Sequence, residues 1–248
     1  GYFLALVFWP FGLVSPIHNP LEALGVAEKF PVTMRILFDG KHIFTAQQGA
    51  DGKFVSLIPW NYIPQWFLIS TPLFGLIGAF VSAVLIPQMN REKKLLYLGF
   101  VYFTLFFPIA YVIYKHSVLY DAMRHFFFVY PSIIILSALT FNYFINRFPK
   151  AVKYGVVALM LVLVALPARF MFANHPNEYV YFNELVGGIR GAFGNYETDY
   201  YMNSAKQCAD WMKEHENLKR TDGRKTTVYS NAVTPVGFYF KPDSATVG

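Results

Sequence analysis

A polytopic α-helical membrane protein, with about five transmembrane helices and a small extracytoplasmic α/β C-terminal region, is the fold class this sequence predicts. Three observations point there. Of 248 residues, 55% are hydrophobic and only 15% charged, where soluble domains carry about 25% charged residues. Mean hydropathy is positive, +0.35. Several apolar runs reach the length that crosses a hydrocarbon core of about 30 Å. Aromatic residues make up 19% of the chain, a bias that suits the two membrane interfaces.

The runs follow in order. Tyr2 to Ile17 is short and opens the chain inside an apolar stretch, and Val247-Gly248 closes it on a strand-like one. Both ends predict a piece of a longer protein. Trp66 to Pro87, Leu95 to Tyr114 and Phe126 to Ile145 contain no charged residue, and Tyr154 to about Ala173 carries Arg169 near its end, able to snorkel outward. Prolines 72, 108, 131 and 167 lie within these runs. Membrane helices tolerate them where neighbours satisfy the freed carbonyls.

The connections supply sidedness. Asn90-Arg91-Glu92-Lys93-Lys94 and the turn from Arg147 to Lys153 are basic, and alternation of spans puts them on one face. The positive-inside rule makes that face cytoplasmic. Residues 1–173 then form the membrane domain. The loop 18–65, the loop 115–125 and the tail 174–248 fall outside.

Loop 18–65 reads as an amphipathic helix or pair on the membrane surface, starting at Asn19-Pro20 and including Met34, Ile36, Leu37 and Phe38 before a turn at Asp39-Gly40. Gln47 to Lys53 is a polar turn, and Pro59-Trp60-Asn61-Tyr62-Ile63-Pro64 re-enters the bilayer as an aromatic collar. In the tail, Ser204 suits an N-cap, with Ala205, Cys208, Ala209 and Met212 on one helical face. A polar turn at Lys219–Lys225 and a strand at Thr226–Ser230 follow.

Charge and residue type narrow the partners. Residues 1–173 hold 13 Lys and Arg against 6 Asp and Glu, whereas residues 174–248 hold 8 against 9. A basic membrane part with a near-neutral tail favours membrane lipids, and nothing resembles a nucleic-acid patch. The single cysteine, Cys208, permits no intrachain disulfide and lies on the predicted apolar face as core filler. No His-x-x-x-His pair exists among scattered histidines such as His18, His42 and His175, so no zinc site is predicted; no cofactor and no metal ligands are assigned, and the metal requirement stays open.

Chemistry-capable residues gather in the outer segments. Tyr120-Asp121-Ala122-Met123-Arg124-His125 brings an acid, a guanidinium and an imidazole into one short loop, with Lys115 and His116 nearby. Arg and His can hold a phosphate by charge-assisted bonds, with Asp orienting the Arg. The same residues also suit a plain interfacial anchor. Tyr179-Val180-Tyr181-Phe182-Asn183-Glu184-Leu185-Val186-Gly187-Gly188, then Tyr196-Glu197-Thr198-Asp199-Tyr200-Tyr201, mixes aromatics with carboxylates. That mixture suits a carbohydrate site or a loop packed on headgroups.

Together these segments resemble GT-C-type membrane glycosyltransferases, similar to the dolichyl-phosphate-mannose–protein mannosyltransferases and the aminoarabinose transferases. The 59–64 segment followed by Ser70-Thr71-Pro72-Leu73 looks like their loop-to-helix junction. Tyr120 to His125 resembles their Tyr-Asp-Gly-x-Arg-His loop, with Ala122 where Gly is usual. The 179–201 stretch is similar to the segment after their last membrane helix. The likeness runs from about Trp9 to Phe240.

The resemblance implies transfer of a sugar from a polyprenyl-phosphate donor to a protein, glycan or lipid acceptor at the extracytoplasmic face, with inversion. Tyr120, Asp121, Arg124, His125 and Lys115 become candidates for the donor phosphate or sugar. Tyr62, Tyr181, Asn183, Glu184 and Asp199 become candidates for substrate loops. The family's catalytic carboxylate is expected upstream of residue 1, so no residue here is assigned as catalytic base. A lipid-linked sugar flippase or transporter and a non-catalytic membrane scaffold are the alternatives. The uncharged second to fourth runs argue against a proton or ion relay.

Overall fold

The computed structural model describes residues 6–28, 33–52, 54–89, 95–199, 201–215, 226–230, 233–240 and 245–247. The basic connection 90–94 and the predicted turn 219–225 lie outside the described residues, as does Tyr200.

Three helices are long and apolar enough to cross a membrane: Leu95–Tyr114, Arg124–Arg147 (opening in a 3-10 turn to Val129) and Lys150–Asn174. A fourth candidate is a bent pair, Tyr62–Ser70 and Leu73–Val84, which turns by 114°. Among the described residues the count is therefore three, or four with the bent pair, where the sequence predicted five for the whole chain. Among the described residues of the first predicted run, Pro10–Val14 forms a five-residue helix that ends at extended Ser15.

Pro72 explains the bend. It cannot donate to Leu68 O and pushes the preceding residue out of helical space. Thr71 is extended at φ −85°, ψ 131°, and Leu73 starts a helix in a new direction.

Helix Leu73–Val84 packs most extensively on Tyr130–Arg147. Hydroxyls join the helices. Ser137 Oγ donates to Gly75 O at 2.9 Å, Thr140 Oγ1 donates to Gly78 O at 2.7 Å, and Thr104 Oγ1 meets Ser132 Oγ at 2.9 Å. Small residues that admit close backbones and hydroxyls that bond across helices are how apolar helices associate in lipid. The outward faces stay apolar. Phe100, Phe103, Phe106, Leu161, Val162 and Phe172 are exposed, and Lys150–Asn174 buries no residue. Apolar surfaces of this extent are what a membrane or a protein partner covers.

The loop 33–56 departs from the predicted amphipathic helix. Arg35–Phe38 pairs antiparallel with Lys41–Phe44, and Ala46–Gln48 pairs with Phe54–Ser56. Asp39 and Gly40 both have positive φ (52° and 72°), as a two-residue type I′ hairpin turn requires. Ile36 and Phe38 are buried while Arg35 is exposed, a period of two rather than 3.6. Among the described residues of loop 18–65, His18–Glu28 is the helix that matches the prediction.

One core joins Ile36, Phe38, Tyr62, Trp66, Met123, Phe182 and Tyr196. Phe182, Ala192 and Tyr196, beyond helix Lys150–Asn174, thus share a core with the hairpin and the 62–70 helix. A second, separate core begins with helix Ser204–His215, where Ala205 and Ala209 meet Val228, Val236 and Phe240. Strand Thr226–Val228 is as predicted in place, and runs parallel to Ala245–Val247 across helix Val233–Phe240. Cys208 is exposed although it lies one helical turn from buried Ala205, and is not core filler.

Candidate functional site

The loop 115–125, the bent pair and the segment after helix Lys150–Asn174 meet at one end of the long helices. The other end carries the basic turn Arg147 to Lys153.

Asp121 and Ala122 both adopt positive φ, 53° and 55°, a conformation that disfavours a side chain. The Tyr62 hydroxyl holds this turn by accepting the Ala122 amide at 3.2 Å. The turn lets Asp121 fold back on Arg124, whose Nη1 lies 2.7 Å from Asp121 Oδ2. The guanidinium sits 4.7 Å from the Tyr120 ring centroid and 6.0 Å from that of Tyr201. Tyr120 also meets the His125 ring edge-on at 5.0 Å. Asp121 is buried, whereas the Arg124 side chain keeps 30% of its surface exposed. Arg124 bonds Asp121 through one nitrogen and also hydrogen-bonds Tyr120 and Tyr201, and the part of the fork left at the surface suits an oxyanion. Burial lifts the Asp121 carboxyl above the usual range, opposed by Arg124 and His125.

Beside this cluster lies a cavity of about 190 Å³, walled by Trp66, Phe127, Tyr130, Tyr179 and Tyr181, with Glu197 at one side. Tyr179 packs on Tyr201 at 5.2 Å, so the cavity and the Arg124 cluster share a wall. Glu197 escaped the sequence reading as a site residue. Its carboxyl is pushed up to about 7, chiefly by burial, then by the charge of Asp121, with the Leu37 amide opposing. The only signal in the sequence was its place among the aromatics of 196–201; the burial comes from residues far away in the chain.

A carboxyl raised from 4.5 to about 7 binds a proton in the folded chain that the unfolded chain has released. Its contribution is therefore full below about pH 4.5 and is lost as pH rises toward 7. Thermal unfolding followed across that window is expected to show stability falling by about 2 kcal/mol, below the full linkage value because the side chain is partly exposed. Glu197→Gln is expected to flatten that slope.

The structure brings Tyr120, Asp121, Arg124 and His125 together and leaves Lys115 apart. Lys115 is exposed over Tyr111 of its own helix, 6.0 Å from the ring. Of the predicted substrate-loop residues, Tyr181 lines the cavity. Tyr62 and Asn183 are buried, and their polar side-chain atoms bond to backbone. Asp199 is also engaged within the chain, accepting from the Tyr179 hydroxyl, the Asn203 amide and Ser204. Glu184 is exposed at the start of a short 3-10 turn.

Asn183 has a different task. Its Nδ2 donates to Leu68 O at 2.6 Å and Thr71 O at 2.8 Å, and its backbone amide donates to Ile69 O at 2.8 Å. These carbonyls belong to the helix end that Pro72 interrupts, where intrahelical donors run out. Asn183 fixes the bend, and the bend fixes Trp66 and Ser70 on the cavity wall.

Among the described residues no group of three or more His, Cys, Asp or Glu is placed to hold a metal ion. Comparison with protein-family models, with curated proteins and with solved structures returns no match.

Proposed function

We propose that the chain is part of a multi-pass membrane glycosyltransferase that moves a sugar from a polyprenyl-phosphate donor to a protein, glycan or lipid acceptor, with inversion at the anomeric carbon. The reaction would take place at the extracytoplasmic face. The observation that carries this reading is the partly exposed Arg124, braced by buried Asp121 and flanked by Tyr120 and His125, beside an aromatic cavity. In that arrangement an anion rests on the guanidinium while an apolar-faced ring rests in the cavity.

The apolar outward faces of the long helices support a lipid surrounding, which suits a lipid-borne donor. The basic 147–153 turn at the far end supports the cytoplasmic assignment of that end. In the proposed reaction Arg124 and His125 stabilise the charge that develops on the leaving lipid phosphate. Asp121 orients Arg124 and is not assigned as the base that activates the acceptor.

The test is transfer from a radiolabelled polyprenyl-phosphate sugar by the full-length protein, with donor photo-crosslinking in parallel. Arg124→Ala is expected to lower transfer about 100-fold and to weaken crosslinking. Arg124→Lys, a point charge without the fork, is expected to recover part of the crosslinking and less of the transfer. Wild-type levels of both in Arg124→Ala would remove the phosphate role.

A further inference from the structure

One carboxylate ties the two cores of the chain together. The first core reaches Tyr196 and the second begins at Ala205, and Asp199 lies in the stretch that joins them. Its Oδ1 accepts from the Tyr179 hydroxyl and from the Asn203 amide at 3.1 Å. Its Oδ2 accepts from the Ser204 hydroxyl and from the Ser204 amide at 3.3 Å. Met202, at φ 56°, turns the chain so that both amides come back to the carboxylate. They belong to the start of helix Ser204–His215, where backbone donors lack intrahelical partners and a charged acceptor bonds them strongly.

What this turn presents is Tyr201. Its ring packs on Tyr179 at 5.2 Å and lies 6.0 Å from the Arg124 guanidinium, which donates to its hydroxyl. Two other neighbours fix Arg124, Asp121 at 2.7 Å and the Tyr120 ring at 4.7 Å, and both lie within four residues of it. Tyr201 arrives from a distant part of the chain. A guanidinium held only by local neighbours still turns about its distal bonds. A third contact from a separate element fixes the plane of the fork, and that plane decides whether an oxyanion receives two parallel bonds or one.

We infer that Tyr201 is a positioning residue for Arg124, and that Asp199, by holding the turn 199–204, makes the C-terminal module that opens with helix Ser204–His215 a support of the Arg124 site. This deepens the proposed function and rests on it for the anion that Arg124 receives. Neither residue is assigned a step in the transfer; both act through Arg124.

The experiment follows phenylglyoxal modification of Arg124 in the full-length protein in lipid nanodiscs, without donor, read by peptide mass spectrometry. Tyr201→Ala and Asp199→Asn are each expected to speed modification of Arg124 about threefold, while exposed Arg35 and Arg147 keep their wild-type rates. Asp199→Asn is the stricter variant, because the bonds of Asp199 go to Tyr179, Asn203 and Ser204 rather than to Arg124. Tyr201 is 43% exposed, so its truncation is expected to leave the thermal midpoint unchanged. In the transfer assay Tyr201→Ala is expected to lower kcat/KM about tenfold, and Tyr201→Phe, which keeps the ring, about threefold. Added to Arg124→Ala, Tyr201→Ala is expected to cost nothing further, since the two act as one unit.

The proposal is overturned if Arg124 is modified at the wild-type rate in either variant. It is also overturned if the transfer losses of Tyr201→Ala and Arg124→Ala multiply in full, because Tyr201 would then act independently of Arg124. Modification is read without any lipid donor, so the two readings fail separately. Faster modification with transfer indifferent to Arg124 would sink the phosphate role alone, and Arg124-dependent transfer with unchanged modification would sink the positioning role alone.

Discussion

Asn183→Asp is expected to lower the thermal midpoint of the purified protein in detergent by about 10 °C. The side chain is fully buried, and its amide donates to Leu68 O and Thr71 O at 2.6 and 2.8 Å. An aspartate has no donor to replace those bonds and sets a carboxylate oxygen against two carbonyls. Losing two bonds, leaving two buried carbonyls without partners and burying a charge together cost about 4 kcal/mol or more, and about 2–4 °C per kcal/mol is usual for a chain of this size. Asn183→Ala, which removes the bonds without adding charge, is expected to cost about 3 kcal/mol. A midpoint within about 2 °C of wild type for Asn183→Asp would show that the bend is held by something else.

Gly78→Val is expected to be nearly as damaging, by separating two helices. A Cβ at Gly78 would stand 2.5 Å from Ser137 Cβ and 2.6 Å from Ser137 Cα. The second of these is backbone and cannot rotate away, so helix Leu73–Val84 must move off Tyr130–Arg147. That movement opens the bonds from Ser137 to Gly75 O and from Thr140 to Gly78 O. Overpacking of about 1–3 kcal/mol adds to about 0.6 kcal/mol for each interhelical bond, for a total of about 3 kcal/mol. Gly99→Ala is the internal control. Gly99 also lies in a long apolar helix, but an added Cβ there meets nothing within 4 Å, so its midpoint is expected to stay level or rise. Equal losses at the two glycines would mean that backbone freedom, not close approach, is what matters at Gly78.

The long helices were legible because 20 uncharged residues in a row, as in Leu95–Tyr114, leave little alternative. The bend was not, although its cause was in plain view. Pro72 lies within an apolar run, and such prolines either kink a span slightly or end it. The choice was decided by Asn183, 112 residues away from Thr71, which supplies the donors. The hairpin was misread for a local reason. Asp39-Gly40 is a two-residue turn flanked by alternating apolar residues, but the four residues before it, Arg35-Ile36-Leu37-Phe38, are too few to separate a period of two from 3.6.

The candidate site divides the same way. The Tyr120–His125 loop was readable because its residues act on one another within a few positions, as the Asp121–Arg124 pair does. The roles of the later segment were not. Asn183 and Asp199 looked like ligand-facing polar residues among aromatics, yet the backbone of the bend takes the first and Ser204, Asn203 and Tyr179 take the second. Glu197 passed unnoticed because what makes it unusual, burial beside Asp121, depends on contacts that no sequence window contains.

The bond from Asn183 to Thr71 also sets a clock. Its partners lie 112 residues apart, and synthesis at about 5–20 residues per second separates their appearance by on the order of ten seconds. Throughout that interval the 62–84 stretch exists without the side chain that secures its turn, while three further apolar helices are being made. The turn is therefore locked after the long helices are in place rather than before. The cavity wall that Trp66 and Ser70 form is among the last parts of this chain to be finished.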